Sequence, residues 1–373
     1  MIKNVAKSLI VELLNDAGIT VNGQNPGDIT VHNEQFYSRI LRGGSLALGE
    51  TYMDLWWDCT ALDVLFERLM LAHTEDKIKR NIRLILKLAL ARIINFQTPK
   101  RAFQVGLKHY DLGNDLFECM LDRNMNYTCG YWKNASTLDE AQLAKLDLAC
   151  RKLQLKPGMR VLDIGCGWGA LAKHMAENYQ VHVTGVTISK EQCDYAKNKC
   201  QGLPVDIRLQ DYRELSGQFD RIVSLGMFEH VGHLNYRTYM NIVKKLLTDD
   251  GLFLLHTIGS NTSVTRTDEW IGKYIFPNGM LPSIAQIGKA SEELLIMEDW
   301  HNFGASYDKT LMCWQKNFNT HWEKLKAKYD ERFYRMWNYY LLMCAGVFRA
   351  REMQLWQIVF SKQGIPGGYD APR

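Results

Sequence analysis

The run Val161-Leu162-Asp163-Ile164-Gly165-Cys166-Gly167-Trp168-Gly169 constrains this chain more than any other stretch. An apolar segment interrupted by one acid gives way to three alternating glycines. That is the pattern of a buried strand entering a tight turn ahead of a helix. Glycine in such a turn lets the backbone approach a ligand where a Cβ would collide.

From about residue 155 onward strand and helix patterns alternate. Arg160–Ile164, Val181–Thr187, Val205–Gln210, Phe219–Leu225 and Gly251–Ile258 read as strands, with helical stretches between most of them. The alternation predicts parallel βαβ units and an α/β fold with a doubly wound sheet. The final Gly364-Ile365-Pro366-Gly367-Gly368 reads as a mobile tail.

A dinucleotide fingerprint wants an acid about twenty residues beyond its first glycines, for the ribose. Here the second strand ends in Gly185-Val186-Thr187, with no carboxylate, and the acid precedes the loop at Asp163. A GxGxG loop preceded by an acid looks like the first motif of class I S-adenosylmethionine methyltransferases. Asp163 is expected to meet the amino group of that cofactor or to brace the loop.

The N-terminal residues read as a smaller helical domain over 1–98, followed by a linker at 99–108 and a catalytic domain over 109–373. Within the first, Lys77–Phe96 has apolar residues at helical spacing (Ile78, Ile82, Ile85, Leu86, Leu90, Ile93) and a basic face (Lys77, Lys79, Arg80, Arg83, Lys87, Arg92). Both domain packing and contact with anionic lipid fit such a helix. Met1–Leu14 lacks the apolar core and small-residue site of a signal peptide. No run of about 18 apolar residues exists to span a bilayer, so membrane contact is expected to be peripheral. A net charge of only +4 argues against a nucleic-acid partner as the default. Nine cysteines without a CxxC pair fit reduced thiols in a cytosol, and His230 and His233 lack the further ligands of a metal site.

Further segments sharpen the reading. Tyr127-Thr128-Cys129-Gly130-Tyr131-Trp132, Gly185-Val186-Thr187-Ile188-Ser189, Met227-Phe228-Glu229-His230-Val231-Gly232 and His256-Thr257-Ile258-Gly259 stand in order, with His109-Tyr110-Asp111-Leu112-Gly113-Asn114 upstream. Together with stretches at 273–279 and 298–307 they resemble the cyclopropane fatty acid synthase family, essentially end to end. The resemblance implies transfer of a methylene from S-adenosylmethionine to a cis double bond of a phospholipid acyl chain. It implies that Tyr127 and Thr128 touch the cofactor's methionine end and that Gly165, Gly167 and Gly169 line its loop. Thr187 and Gln192 would approach the ribose, and Asp211, Tyr212 and Arg213 the adenine. Arg213 stands where mycolic-acid relatives carry an acid.

The same resemblance implies a bound bicarbonate as base, held by Cys129, Glu229, His256, Ile258 and Tyr307. Backbone groups are expected from Cys129 and Ile258. Cys344 corresponds to a possible active-site thiol, although alkene chemistry needs no thiol nucleophile. Methyl transfer to an alkene leaves a carbocation, which aromatic faces stabilise; Tyr131, Trp132, Phe228, Tyr274, Phe303 and Tyr307 are candidates for that wall. Members tend to be homodimers acting at the cytoplasmic face of the membrane. Two alternatives stand beside this reading: a methyltransferase on the same scaffold giving methyl-branched or hydroxylated chains, and a non-catalytic lipid-binding protein.

Overall fold

The computed structural model describes residues 2–73 and 112–373. The predicted helix over Lys77–Phe96, the linker and His109-Tyr110-Asp111 lie outside the described residues. The chain divides into two compact units: one built from Met1–Cys119, Asp268–Ile275 and Gln315–Ala350, the other from Met120–Thr267, Phe276–Trp314 and Arg351–Arg373.

The larger unit is organised by a seven-stranded sheet of order β5-β4-β3-β6-β7-β9-β8. Its strands are β3 (Arg160–Ile164), β4 (His182–Thr187), β5 (Val205–Leu209), β6 (Phe219–Leu225), β7 (Leu247–Ser260), β8 (Ile296–Asn302) and β9 (Met353–Ser361). The short β1 (Ile29–Val31) and β2 (Trp57–Cys59) pair separately in the smaller unit. β3 to β7 are parallel, as the sequence predicts, whereas β9 runs antiparallel to both β7 and β8.

Each inner strand is buried on both faces, and its side chains sort with period two. Leu162, Ile222, Phe253, Leu255 and Ile358 enter one apolar core. Val161, Val223, Leu252, Leu254 and Val359 enter the core on the opposite face. That two-sided burial explains why the strands read as near-continuous apolar runs. The connections leave β3 toward β4 on one side and return to β6 on the other. The order therefore reverses between β3 and β6, and a crevice opens beyond their carboxyl ends.

Two features depart from the sequence reading. The strands β8 and β9 were not anticipated, because β9 completes the sheet only through pairing with β7, some hundred residues earlier in the chain, over the register Leu252↔Ser361 to Ser260↔Met353. The expected mobile tail is pinned. Ile365 donates its N–H to Glu298 at 3.0 Å, the Tyr369 hydroxyl donates to the Lys152 carbonyl at 2.6 Å, and Arg373 grips Asp299 at 2.6 and 2.9 Å. Asp299 also faces the buried ammonium of Lys152 at 3.1 Å, so the tail helps to neutralise a buried charge cluster.

The smaller unit packs the helix Glu331–Arg349 against the N-terminal helices Phe36–Met53 and Leu62–Leu71. A Cβ at Gly346 would sit 2.3 Å from the Asp63 carbonyl, so only glycine permits that approach. Arg335 donates to the Tyr52 carbonyl at 2.6 Å and to Asp58 at 2.7 Å, and Arg349 pairs with Asp63 at 2.9 Å. The helical unit expected over 1–98 thus includes distant stretches that the sequence reading had placed in the catalytic domain.

Candidate active site

A cleft of about 500 Å³ lies at the carboxyl ends of β3 and β6, of a size that holds a nucleoside-based ligand. Tyr127, Thr128, Asp163, Gly165, Gly167, Thr187, Gln192, Asp211, Tyr212 and Arg213 all line it. Gly169 does not. It caps the helix Ala170–Tyr179 in the left-handed region. Gly165 (φ 84°) is pressed against Met227, where a Cβ would meet the Met227 Cβ at 2.7 Å. Gly167 (φ 52°) has open space where its Cβ would be, so the loop offers bare backbone to the cleft.

The polar groups around the cleft are ordered by neighbours. The Thr187 hydroxyl donates to Gln192 Oε1 at 3.0 Å and accepts from the Ser189 N–H at 3.2 Å. Arg213 clasps Asp211 with two side-chain bonds of 2.9 and 2.6 Å. That clasp holds the Asp211 carboxyl below its ordinary range. Asp163 is 2 % exposed and its Oδ2 has no partner among the described residues. Burial pushes its carboxyl up to about 7, with buried Lys145 pulling the other way. An uncompensated buried acid at the end of β3 suits a ligand bearing an ammonium.

A second cluster stands where β6 and β7 end. Leu225 and His256 are register partners, and the Gly226 N–H donates to the His256 carbonyl at 2.9 Å. Glu229 follows on the turn Phe228–His230, and its Oε1 accepts from the Ile258 N–H at 2.7 Å. The carboxylate is therefore held two residues along β7 from His256. Its Oε2 is buried without a partner among the described residues, and burial raises the carboxyl to about 7. His256 is 1 % exposed, and burial together with Lys145 and Lys152 keeps its ring far below the usual range, hence neutral.

Gln357, on β9 directly across from His256, presents its amide nitrogen to His256 Nδ1 at 3.4 Å. An amide N–H donated to Nδ1 leaves the ring proton on Nε2, which has no partner among the described residues. Phe303 lies edge-on to His256, centroids 5.9 Å apart, and Tyr131 edge-on to Phe303 at 5.2 Å. Buried Tyr307 packs on Trp314, which in turn lies 5.2 Å from the Tyr127 ring. Thr310 collects three bonds from this region: from the Gly130 N–H at 3.1 Å, from Trp132 Nε1 at 2.9 Å, and a contact to Cys129 Sγ at 3.9 Å.

Some candidates are not among the residues that line the cleft. Phe228 is fully buried and stacked on Tyr236 at 4.3 Å, which makes it a core ring and not a wall of the cleft. Tyr274 and Cys344 belong to the smaller unit, where Tyr274 donates to Glu50 at 3.0 Å. Burial pushes the Cys344 thiol up to about 12, and the Cys129 thiol well above its ordinary range. The Ile258 N–H, expected to serve a small anion, is already committed to Glu229. Conversely, Lys145 and Gln357 escape sequence reasoning; a lysine within a helix and a glutamine within a strand carry no local sign of burial. Among the described residues no group of His, Cys, Asp and Glu side chains could hold a metal ion.

The mycolic acid cyclopropane synthetase family matches residues 97–358. The chain is 56 % identical over 362 residues to the cyclopropane-fatty-acyl-phospholipid synthase of Escherichia coli (strain K12), covering 97 % of this chain and 94 % of that protein. The structure of a cyclopropane synthase from Mycobacterium tuberculosis superposes with a TM-score of 0.64 at 33 % identity, covering 68 % of this chain and 96 % of the other. A mycolic acid cyclopropane synthase complexed with SAH and CTAB gives a TM-score of 0.63 at 34 % identity, covering 68 % and 96 %.

Proposed function

The chain belongs to the mycolic acid cyclopropane synthetase family of S-adenosylmethionine-dependent enzymes, and from that membership we propose that it converts a cis double bond of a phospholipid acyl chain into a cyclopropane ring. When bound in the cleft, S-adenosylmethionine supplies an electrophilic methyl on a sulfonium. Asp163 takes its ammonium, the bare backbone at Gly167 takes its length, and Thr187 and Gln192 take the ribose.

The alkene carbon that accepts the methyl leaves a cation on its neighbour. Tyr131 and Phe303, rings in contact beside His256, stabilise that charge by roughly 0.5–2 kcal/mol each. The ring closes when the new methyl loses a proton. A bicarbonate ion held by Glu229 and His256 supplies the mild base for that loss.

One observation carries this reading: Oε2 of Glu229 and Nε2 of His256 are both buried, both without a partner among the described residues, and held at neighbouring strand ends beside the cleft. A carboxylate acceptor next to a neutral imidazole donor suits an anion that brings its own hydroxyl. His256, being neutral, donates without adding a competing proton source.

Because the acyl substrate resides in a bilayer, the proposal includes peripheral action at the cytoplasmic face of the membrane, as a homodimer. Among the described residues no helix is long and apolar enough to cross a membrane. Co-sedimentation with anionic and neutral vesicles, together with the sedimentation coefficient, tests both points. The central test is mass analysis of phospholipid acyl chains after expression. A gain of one methylene with loss of olefinic signal is expected. The same mass gain with the double bond retained, or a hydroxylated chain, refutes ring formation.

A further inference from the structure

The helix Leu138–Lys152 carries a lysine into the interior. Lys145 is 1 % exposed, and its ammonium donates to Asn126 Oδ1 at 3.1 Å and to Thr128 Oγ1 at 2.9 Å. Asn126 is itself fixed, since its backbone and side-chain nitrogens donate to Asp122 at 2.7 and 2.9 Å. Three residues before Lys145 on the same helix face, fully buried Gln142 donates to the Thr128 carbonyl at 2.7 Å. Two side chains of one helix thus hold a single residue of the cleft wall by both of its oxygens.

An ammonium has protons to give and no lone pair, so the Thr128 oxygen is the acceptor in its bond to Lys145. The hydroxyl proton must therefore point elsewhere. The Thr128 methyl is turned toward Gly226, where a Cβ would meet it at 2.7 Å, and Thr128 lines the cleft beside Asp163. A hydroxyl that accepts from a buried cation is a stronger donor than an ordinary one. Burial also lowers the Lys145 pKa to about 8, so the ammonium is held at neutral pH against a real desolvation cost.

We propose that Lys145 is a positioning residue that makes Thr128 an obligate hydrogen-bond donor to the α-carboxylate of the methyl donor, while Asp163 receives the α-ammonium. The two ends of the amino-acid group are then told apart by opposite charges set behind the cleft wall. The inference rests on the cofactor reading above and adds to it a residue and a recognised group.

Calorimetry with S-adenosylmethionine and with its decarboxylated analogue, which keeps the ammonium and the sulfonium, tests this. Lys145→Met in the full chain is expected to weaken S-adenosylmethionine by about 10- to 100-fold more than the analogue, which feels only the rise of the Asp163 carboxyl that follows loss of Lys145. Thr128→Val, which leaves Lys145 in place, is expected to weaken S-adenosylmethionine and leave the analogue unchanged, and the double variant to be no worse than Lys145→Met alone. Equal weakening of both ligands, or of neither, overturns the proposal. If Lys145→Met does not fold, Thr128→Val decides alone, because it leaves the Lys145 bond to Asn126 in place; no selectivity there overturns the proposal. A parent chain that binds neither ligand overturns the cofactor reading and this inference together, whereas tight parent binding without selective loss overturns the inference alone.

Discussion

Replacing Glu229 by Gln probes the second cluster most directly. The amide keeps an oxygen for the Ile258 N–H, which Glu229 now engages at 2.7 Å. It also puts an NH₂ donor where the unpartnered Oε2 stands. An acceptor facing an incoming hydroxyl becomes a donor facing it. Losing one charge-assisted bond in a buried site is worth about 1.5–3 kcal/mol, and removing one preorganised contact at a reacting centre has cost about 2.7–4 kcal/mol elsewhere. Turnover should therefore fall by roughly 10²- to 10³-fold. Cofactor affinity should hold, because Glu229 does not line the cleft, although Met227 and His230 on either side of it do.

Stability should move the other way. The carboxyl is raised from 4.5 to about 7 by burial. A raised acid imposes no penalty while it is neutral, below its unfolded pKa. The penalty grows as pH climbs from there through about 7, and reaches about 3 kcal/mol once both states are ionised. Glu229→Gln removes it, so the variant should melt higher than the parent at pH 8 and not at pH 4. Labelled methyl transfer, calorimetry with S-adenosylhomocysteine and melting across pH measure the three quantities. A variant that keeps more than about a tenth of the parent turnover, short of the loss expected at a reacting centre, or one that loses cofactor affinity as steeply as rate, refutes the reasoning.

Gln357→Leu removes the group that faces His256 Nδ1. It should lower kcat by about tenfold, as for other orienting partners of a histidine, leave the cofactor Kd unchanged and alter the imidazole ¹⁵N signature; an unaltered tautomer refutes it. Asp163→Asn should weaken S-adenosylmethionine and abolish a pH effect present in the parent. Asp163 is half-protonated near 7 in the free chain, and a bound ammonium favours the ionised form. Binding should therefore release a proton, and affinity should fall by up to tenfold per unit as pH drops below about 7; a flat pH profile in the parent counts against it. Cys344→Ser should leave the rate within about twofold, because a thiol at about 12 is thiolate in only about one molecule in 10⁵ at neutral pH; a loss beyond tenfold restores a role for that sulfur.

The parts of this molecule that are local in the chain could be read from it. β3 and β6 fall on the predicted bounds, and β4 and β5 within a residue, because apolar runs flanked by turn residues leave few options. The glycine loop was legible for the same reason: a strand, an acid and three glycines are contiguous. What escaped depends on tertiary neighbours. β9 reads as an isolated apolar stretch until β7 and β8 stand on either side of it. Lys145 looks like a solvated helix charge, and its acceptors Asn126 and Thr128, brought beside it by the fold, explain its burial. Residues 315–350 continue the catalytic sequence without a break, yet Arg335 and Arg349 bond to Tyr52, Asp58 and Asp63, pairings that no local pattern encodes.

The strand order has a consequence for how the protein is made. Among the described residues β9 comes latest of the strands in the chain, yet it lies between β7 and β8 and carries the residue facing His256. Until β9 is made, one edge of β7, a fourteen-residue strand with four leucines, has no partner in this sheet. Such an edge invites pairing with other chains. The cluster of Glu229, His256 and Gln357 is therefore complete only once residues 353–361 have been translated.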